Sequence, residues 1–162
     1  MGDLTLRALR IVLATGLAGS LFVQAVMVPL LAIDLEEAPA AVRVPVVVIV
    51  LLGIVTTQVT MVCVWRLLTM VRRGTVFSNA AFRYVDIVIG AVAAASLLTF
   101  ALGVTVAPGE AVAPGIVLLI GGAGVMVAGV ALLVLVMRTL LVQAVARDAE
   151  AQHLQAELNE VI

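Results

Sequence analysis

The chain has 162 residues, 64% of them hydrophobic and 12% charged, with a formal net charge of −1. Soluble domains are about 45–50% apolar and about 25% charged, so a water-soluble fold of this size is excluded and lipid is the solvent. The small net charge gives no basis for direct nucleic-acid binding, and the single cysteine, Cys63, excludes an intramolecular disulfide or a cysteine-based metal cluster.

The first predicted element is the run Ile11–Ile33, which is free of formal charge. At 1.5 Å per residue, about 20 residues cross a hydrocarbon core roughly 30 Å thick. An unpaired backbone amide in lipid costs several kcal/mol, so the run must be helical. It is longer than the roughly 7–15 residues of a signal-peptide core and no Ala-x-Ala site follows, so it is expected to remain as a signal anchor. Pro29, one turn before its outer end, is expected to kink or loosen it.

The connection "DLEEAPAAVR" follows, with Arg43 its only basic residue, and then the second span, Val44–Trp65. Its "VPVVVIVLLGIV" would favour a strand in water, but in lipid the backbone constraint outweighs that preference. Gln58 here and Gln24 in the first span both lie near mid-span. They are candidates for an intramembrane hydrogen bond of about 0.6 kcal/mol, at most ~1–2, with a hydrated pocket as the functional alternative. Cys63 reads as a small buried hydrophobe. At the end of the span Arg66 can snorkel to headgroups while Trp65 lies at the interface.

Residues 72–84, "RRGTVFSNAAFRY", interrupt the apolar pattern. Arg72 and Arg73 end the second helix and Gly74 supplies a residue able to adopt positive φ there. Ser78 is the expected N-cap of the third helix, and Phe77 and Phe82 fall at the two positions of a hydrophobic staple. Arg83 and Asp86, three apart, are expected to pair. The third span, Ile87–Ala107, the turn "PGEAVAP" and the fourth span, Gly115–Met137, complete the apolar part. "GGAGVMVAG" in the last span lies inside a continuous apolar run, so it reads as close helix packing and not as a dinucleotide loop. Gly124-x-x-x-Ala128 and Gly16-x-x-x-Ser20 are the small-residue faces.

Eight of the nine arginines (Arg7, Arg10, Arg66, Arg72, Arg73, Arg83, Arg138, Arg147) fall on one side of this arrangement and only Arg43 on the other. The positive-inside rule therefore expects both termini in the cytoplasm. The predicted fold is an all-α membrane protein, a compact up-down four-transmembrane-helix bundle over residues 1–137. A cytoplasmic acidic amphipathic helix is expected over 138–162. In that tail Ala144, Arg147, Ala151, Leu154, Leu158 and Val161 form a seam too short for a secure coiled coil. Asp148 or Glu150 is expected to meet Arg73 or Arg83, an exposed pairing worth ~0–1 kcal/mol. His153 is expected to be exposed.

The stretch "RRGTVFSNAAFRYVDIVIG" resembles the Gly-x-x-Phe-[Ser/Thr]-x-x-x-x-[Arg/Lys] signature of the bacterial domain of unknown function 2975 family. The ending "LQAELNEVI" is similar to that family's short acidic-hydrophobic terminus. The resemblance implies a small four-helix protein of a bacterial cytoplasmic membrane. It also implies a pairing with a small helix-turn-helix transcriptional regulator, and it supplies no catalytic residues. One cysteine, one histidine and scattered interface acids give no nucleophile–base pair or metal set, so neither enzymatic activity nor a cofactor is expected. The expected function is that of a membrane sensor or anchor. Its candidate interaction residues are Arg72, Arg73, Phe77, Ser78, Arg83, Asp86, Leu154, Leu158 and Glu160, with Gln24 and Gln58 as the intramembrane contact. The alternative is a small transporter or channel subunit acting as a homo-oligomer.

Overall fold

The computed structural model describes residues 3–72, 79–108 and 112–161, the side chains of 3, 5, 6, 71, 72, 79–81 and 158–161 lying outside that description. The described residues form helices and turns, with no strand among them. In order they are α1 (Asp3–Phe22), a π-helical turn (Val23–Met27), α2 (Val28–Asp34), α3 (Ala40–Arg72), α4 (Asn79–Val106) and α5 (Pro114–Val161). The π turn joins α1 and α2 into one rod, so there are four rods. Each contains a stretch long and apolar enough to cross a membrane: Arg7–Asp34, Ala40–Met70, Phe82–Val106 and Pro114–Glu157.

Local chemistry sets the boundaries. The Pro39 carbonyl accepts the Val42 and Arg43 amides at 2.9 and 3.0 Å, so α3 starts just after Pro39 and Arg43 is already helical instead of lying in the connection. Pro114 is the first residue of α5, a position where its missing N–H is no loss. The loosening expected at Pro29 takes a definite form. Proline cannot donate to the carbonyl four residues back. The chain widens just before it, and the Val28 amide bonds to the Val23 carbonyl five residues earlier.

The rods run up and down. Along α1 and α3, Arg10 meets Trp65 and Thr69, Gly16 meets Met61, and Gln24 meets Gln58, so positions rise on one helix as they fall on the other. Along α4 and α5, Asp86 meets Arg138, Phe100 meets Gly124, and Gly103 meets Ile120. A Cβ on Gly124 would stand 3.1 Å from the Phe100 ring. Beside it the buried Ser96 hydroxyl donates to the Gly124 carbonyl at 2.9 Å, so glycine here permits a backbone-close crossing.

Packing is serial: α3 lies extensively against α4 and α4 against α5, whereas the first rod touches α3 more lightly. The accessible surface is 11158 Å², whereas a compact soluble protein of this mass exposes about 7,600 Å². The bundle is thus open and not compact. Among the described residues Val28, Val46, Cys63, Leu68 and Ala131 are the buried hydrophobic ones, while Leu118, Met126 and Val104 are more than 70% exposed. Apolar surface on this scale is at home only against lipid or another apolar chain.

The 48 residues of α5 form one uninterrupted helix, about 72 Å long at 1.5 Å per residue. A hydrocarbon core of roughly 30 Å takes less than half of it. The formal charges among its described side chains, from Arg138 onward, all lie in its C-terminal half. No break separates a bundle part from a tail at residue 138.

Candidate functional site

Two groups of polar side chains depart from the apolar background. The first is at the arginine-rich end. Arg138 on α5 donates from Nη2 to Oδ2 of Asp86 on α4 at 2.8 Å, with Nε 2.5 Å from Oδ1. The Nε–H itself is not aimed at an acceptor, so that second approach is ionic in character. The expected pairing of Asp86 with Arg83 is thereby corrected. Arg83 is exposed, and the carboxylate turns to the neighbouring helix. A pair within one helix contributes only a few tenths of a kcal/mol. The interhelical guanidinium reaches the carboxylate where both groups are partly shielded, with side chains 29% and 50% exposed.

At the same end Arg10 on α1 stacks over the indole of Trp65, its Cζ 5.9 Å from the ring centroid. Its Nη2 reaches the Thr69 hydroxyl at 3.4 Å, and that hydroxyl in turn donates to the Trp65 carbonyl at 3.0 Å. Sequence reasoning placed Arg10 only as a topology charge. Nothing in its neighbourhood in the chain points to a tryptophan 55 residues away.

The remaining predicted interaction residues divide between what is described and what is not. Arg72 closes α3, its side chain outside the described set; Arg73, Gly74, Phe77 and Ser78 lie outside the described residues, and with them the cap and staple. Leu154 is 55% exposed on α5, and Leu158 and Glu160 continue the same helix with their side chains outside the description. Among the described residues neither Asp148 nor Glu150 forms an ion pair with Arg83; both acids are exposed. His153 is exposed as expected and lies 3.8 Å from Glu157, one turn on.

The second group is within the apolar part. Gln58 donates from Nε2 to Oε1 of Gln24 at 2.9 Å, the pairing expected from their depth. Gln24 sits on the π turn, so the widened backbone preceding Pro29 carries the acceptor toward α3. Nearby, a groove of about 360 Å³ between α3, α4 and α5 is lined by Thr56, Thr57, Thr60, Val92 and Val127, among others. The three hydroxyls donate back to carbonyls of their own helix at 2.8–3.0 Å, which leaves the groove without free hydroxyl donors. Cys63 is buried. Among the described residues no group of three or more His, Cys, Asp or Glu side chains is placed to hold a metal.

Four long apolar rods joined by a few interhelical polar contacts define a multi-pass helical membrane protein. The family model described as "Protein of unknown function (DUF2975)" matches residues 30–162, and the chain belongs to that family. No curated protein and no solved structure matches the chain.

Proposed function

We propose that this protein is a non-enzymatic docking platform in a bacterial cytoplasmic membrane, with both termini in the cytoplasm, for a small helix-turn-helix regulator. The partner's class follows from the family resemblance. The orientation follows from the arginine asymmetry. The observation that supports the reading is the 48-residue α5, about 72 Å long, more than twice the depth of a roughly 30 Å hydrocarbon core, with its charged end exposed. A helix continued from a membrane span has no nucleation penalty, so this extension needs no core of its own. Its side chains, including Leu154, are left open to a partner.

In this reading Arg72, Arg73, Phe77, Ser78 and Arg83 with Leu154, Leu158 and Glu160 provide the contact surface. Asp86, already engaged by Arg138, fixes where α5 leaves the bundle. The protein neither binds nucleic acid itself nor uses a cofactor.

The test is affinity purification of the intact chain, and of a version lacking residues 148–162, from native membranes in mild detergent. A helix-turn-helix protein is expected in stoichiometric amount with the first and absent from the second, with both chains equally helical and monodisperse. Intact protein that brings no such partner, or a partner retained without the tail, overturns the proposal.

A further inference from the structure

Between α1 and α3, at the arginine-rich end, lies a second groove of about 350 Å³, lined by Ala14, Leu17, Val62, Trp65 and Arg66. Its walls are apolar for about two turns below Trp65, and its upper margin is cationic. Arg66 is exposed and forms no ion pair or hydrogen bond among the described residues. Arg10 stands over the Trp65 ring, and among the described residues only one of its five donors finds an acceptor, the Thr69 hydroxyl at a long 3.4 Å. Its Nε is buried without an acceptor. The contrast is with Arg138, whose guanidinium is met by Asp86. No carboxylate among the described residues stands against Arg10 or Arg66. Arg66 thus lines an apolar groove and Arg10 stands over Trp65 beside it, and among the described residues neither guanidinium meets an anion.

We infer that this groove is a binding site for one anionic phospholipid, its phosphate held between Arg10 and Arg66 and an acyl chain laid along Ala14, Leu17 and Val62. Two features select a lipid over a free anion, and a third fits phosphate of either kind. The apolar wall below the cations would remain uncovered by phosphate alone. Trp65 has the amphipathic ring typical of the headgroup level, where the indole faces the acyl chain and the cations face water. Guanidinium groups match phosphate oxygens in planar, two-pronged geometry, and stacking on the indole holds Arg10 in place for that contact. Basic pockets between membrane helices are established recognition sites for acidic headgroups. The inference concerns α1 and α3 only and is independent of the regulator proposed for α5.

Trp65 is the sole tryptophan, so its fluorescence reports this groove alone. The full chain is reconstituted in vesicles containing dibrominated phosphatidylglycerol or dibrominated phosphatidylcholine at equal mole fraction, since bromine quenches only on contact. The expected result is stronger quenching by the glycerol lipid, with a preference that falls about fivefold for each of Arg10→Gln and Arg66→Gln. Arg43→Gln, at the opposite end, should leave it unchanged. Equal quenching of the unaltered protein by the two lipids overturns the inference without recourse to any variant. So does a preference that survives in the Arg10→Gln, Arg66→Gln double variant. Inorganic phosphate abolishing the preference at millimolar level would assign the site to a soluble anion and overturn it as well.

Discussion

Arg138 of α5 grips the carboxylate of Asp86 on α4, Nη2 lying 2.8 Å from Oδ2 across a separation of 52 residues in the chain. This contact, the Ser96–Gly124 hydrogen bond and the Phe100–Gly124 contact lie in one antiparallel register, and together they fix α5 against α4. Whatever the projecting end of α5 engages, its starting position is set here.

The pair should be energetically coupled. Asp86→Asn and Arg138→Gln are each expected to lower the unfolding temperature in detergent. The double variant should lose less than the sum, with a coupling of about 0.5–1 kcal/mol for groups this exposed. Thermal unfolding of the four proteins measures it, and strict additivity would show that the contact contributes nothing.

Gln24 and Gln58 form the intramembrane bond, so removing one leaves the other's amide facing hydrocarbon. Gln58→Leu is expected to cost about 0.6–2 kcal/mol. Adding Gln24→Leu should recover part of that loss, because two apolar groups leave no orphan donor or acceptor. Denaturant titration in mixed micelles would record the order of stabilities; a double variant worse than either single one contradicts this account.

Gly124 and Gly122 separate close packing from chance. A methyl group on Gly124 meets the Phe100 ring at 3.1 Å, whereas on Gly122 it meets nothing within 4 Å. Gly124→Ala should destabilise by about 1–3 kcal/mol through overpacking. Gly122→Ala should be neutral or gain up to about 1 kcal/mol from helix propensity. Equal effects at the two positions would rule out the α4–α5 crossing described here.

Orientation can be tested with engineered thiols, because the native Cys63 is buried and should stay silent. In intact cells a membrane-impermeant maleimide is expected to label Ala38→Cys and spare Gln155→Cys until the membrane is opened. The reverse pattern would invert the assignment of both termini.

The sequence by itself determined the number of rods, their approximate limits and their alternation, because hydrocarbon tolerates only backbone that satisfies its own hydrogen bonds. It also determined which end carries the arginines, and the depth match that brings Gln24 to Gln58 was legible for the same reason. It did not determine partners at the helix faces. The spans are apolar nearly all the way round, so hydropathy has little angular preference from which to read which side of a rod meets which neighbour. Local spacing therefore pointed Asp86 to Arg83, three residues off, when the rotation of α4 turns it to Arg138. Only the tertiary structure decided that, and only it set Arg10 over Trp65, widened the chain before Pro29 and left the bundle open. Each depends on the rotation and register of packed helices, which are fixed by side chains far apart in the chain.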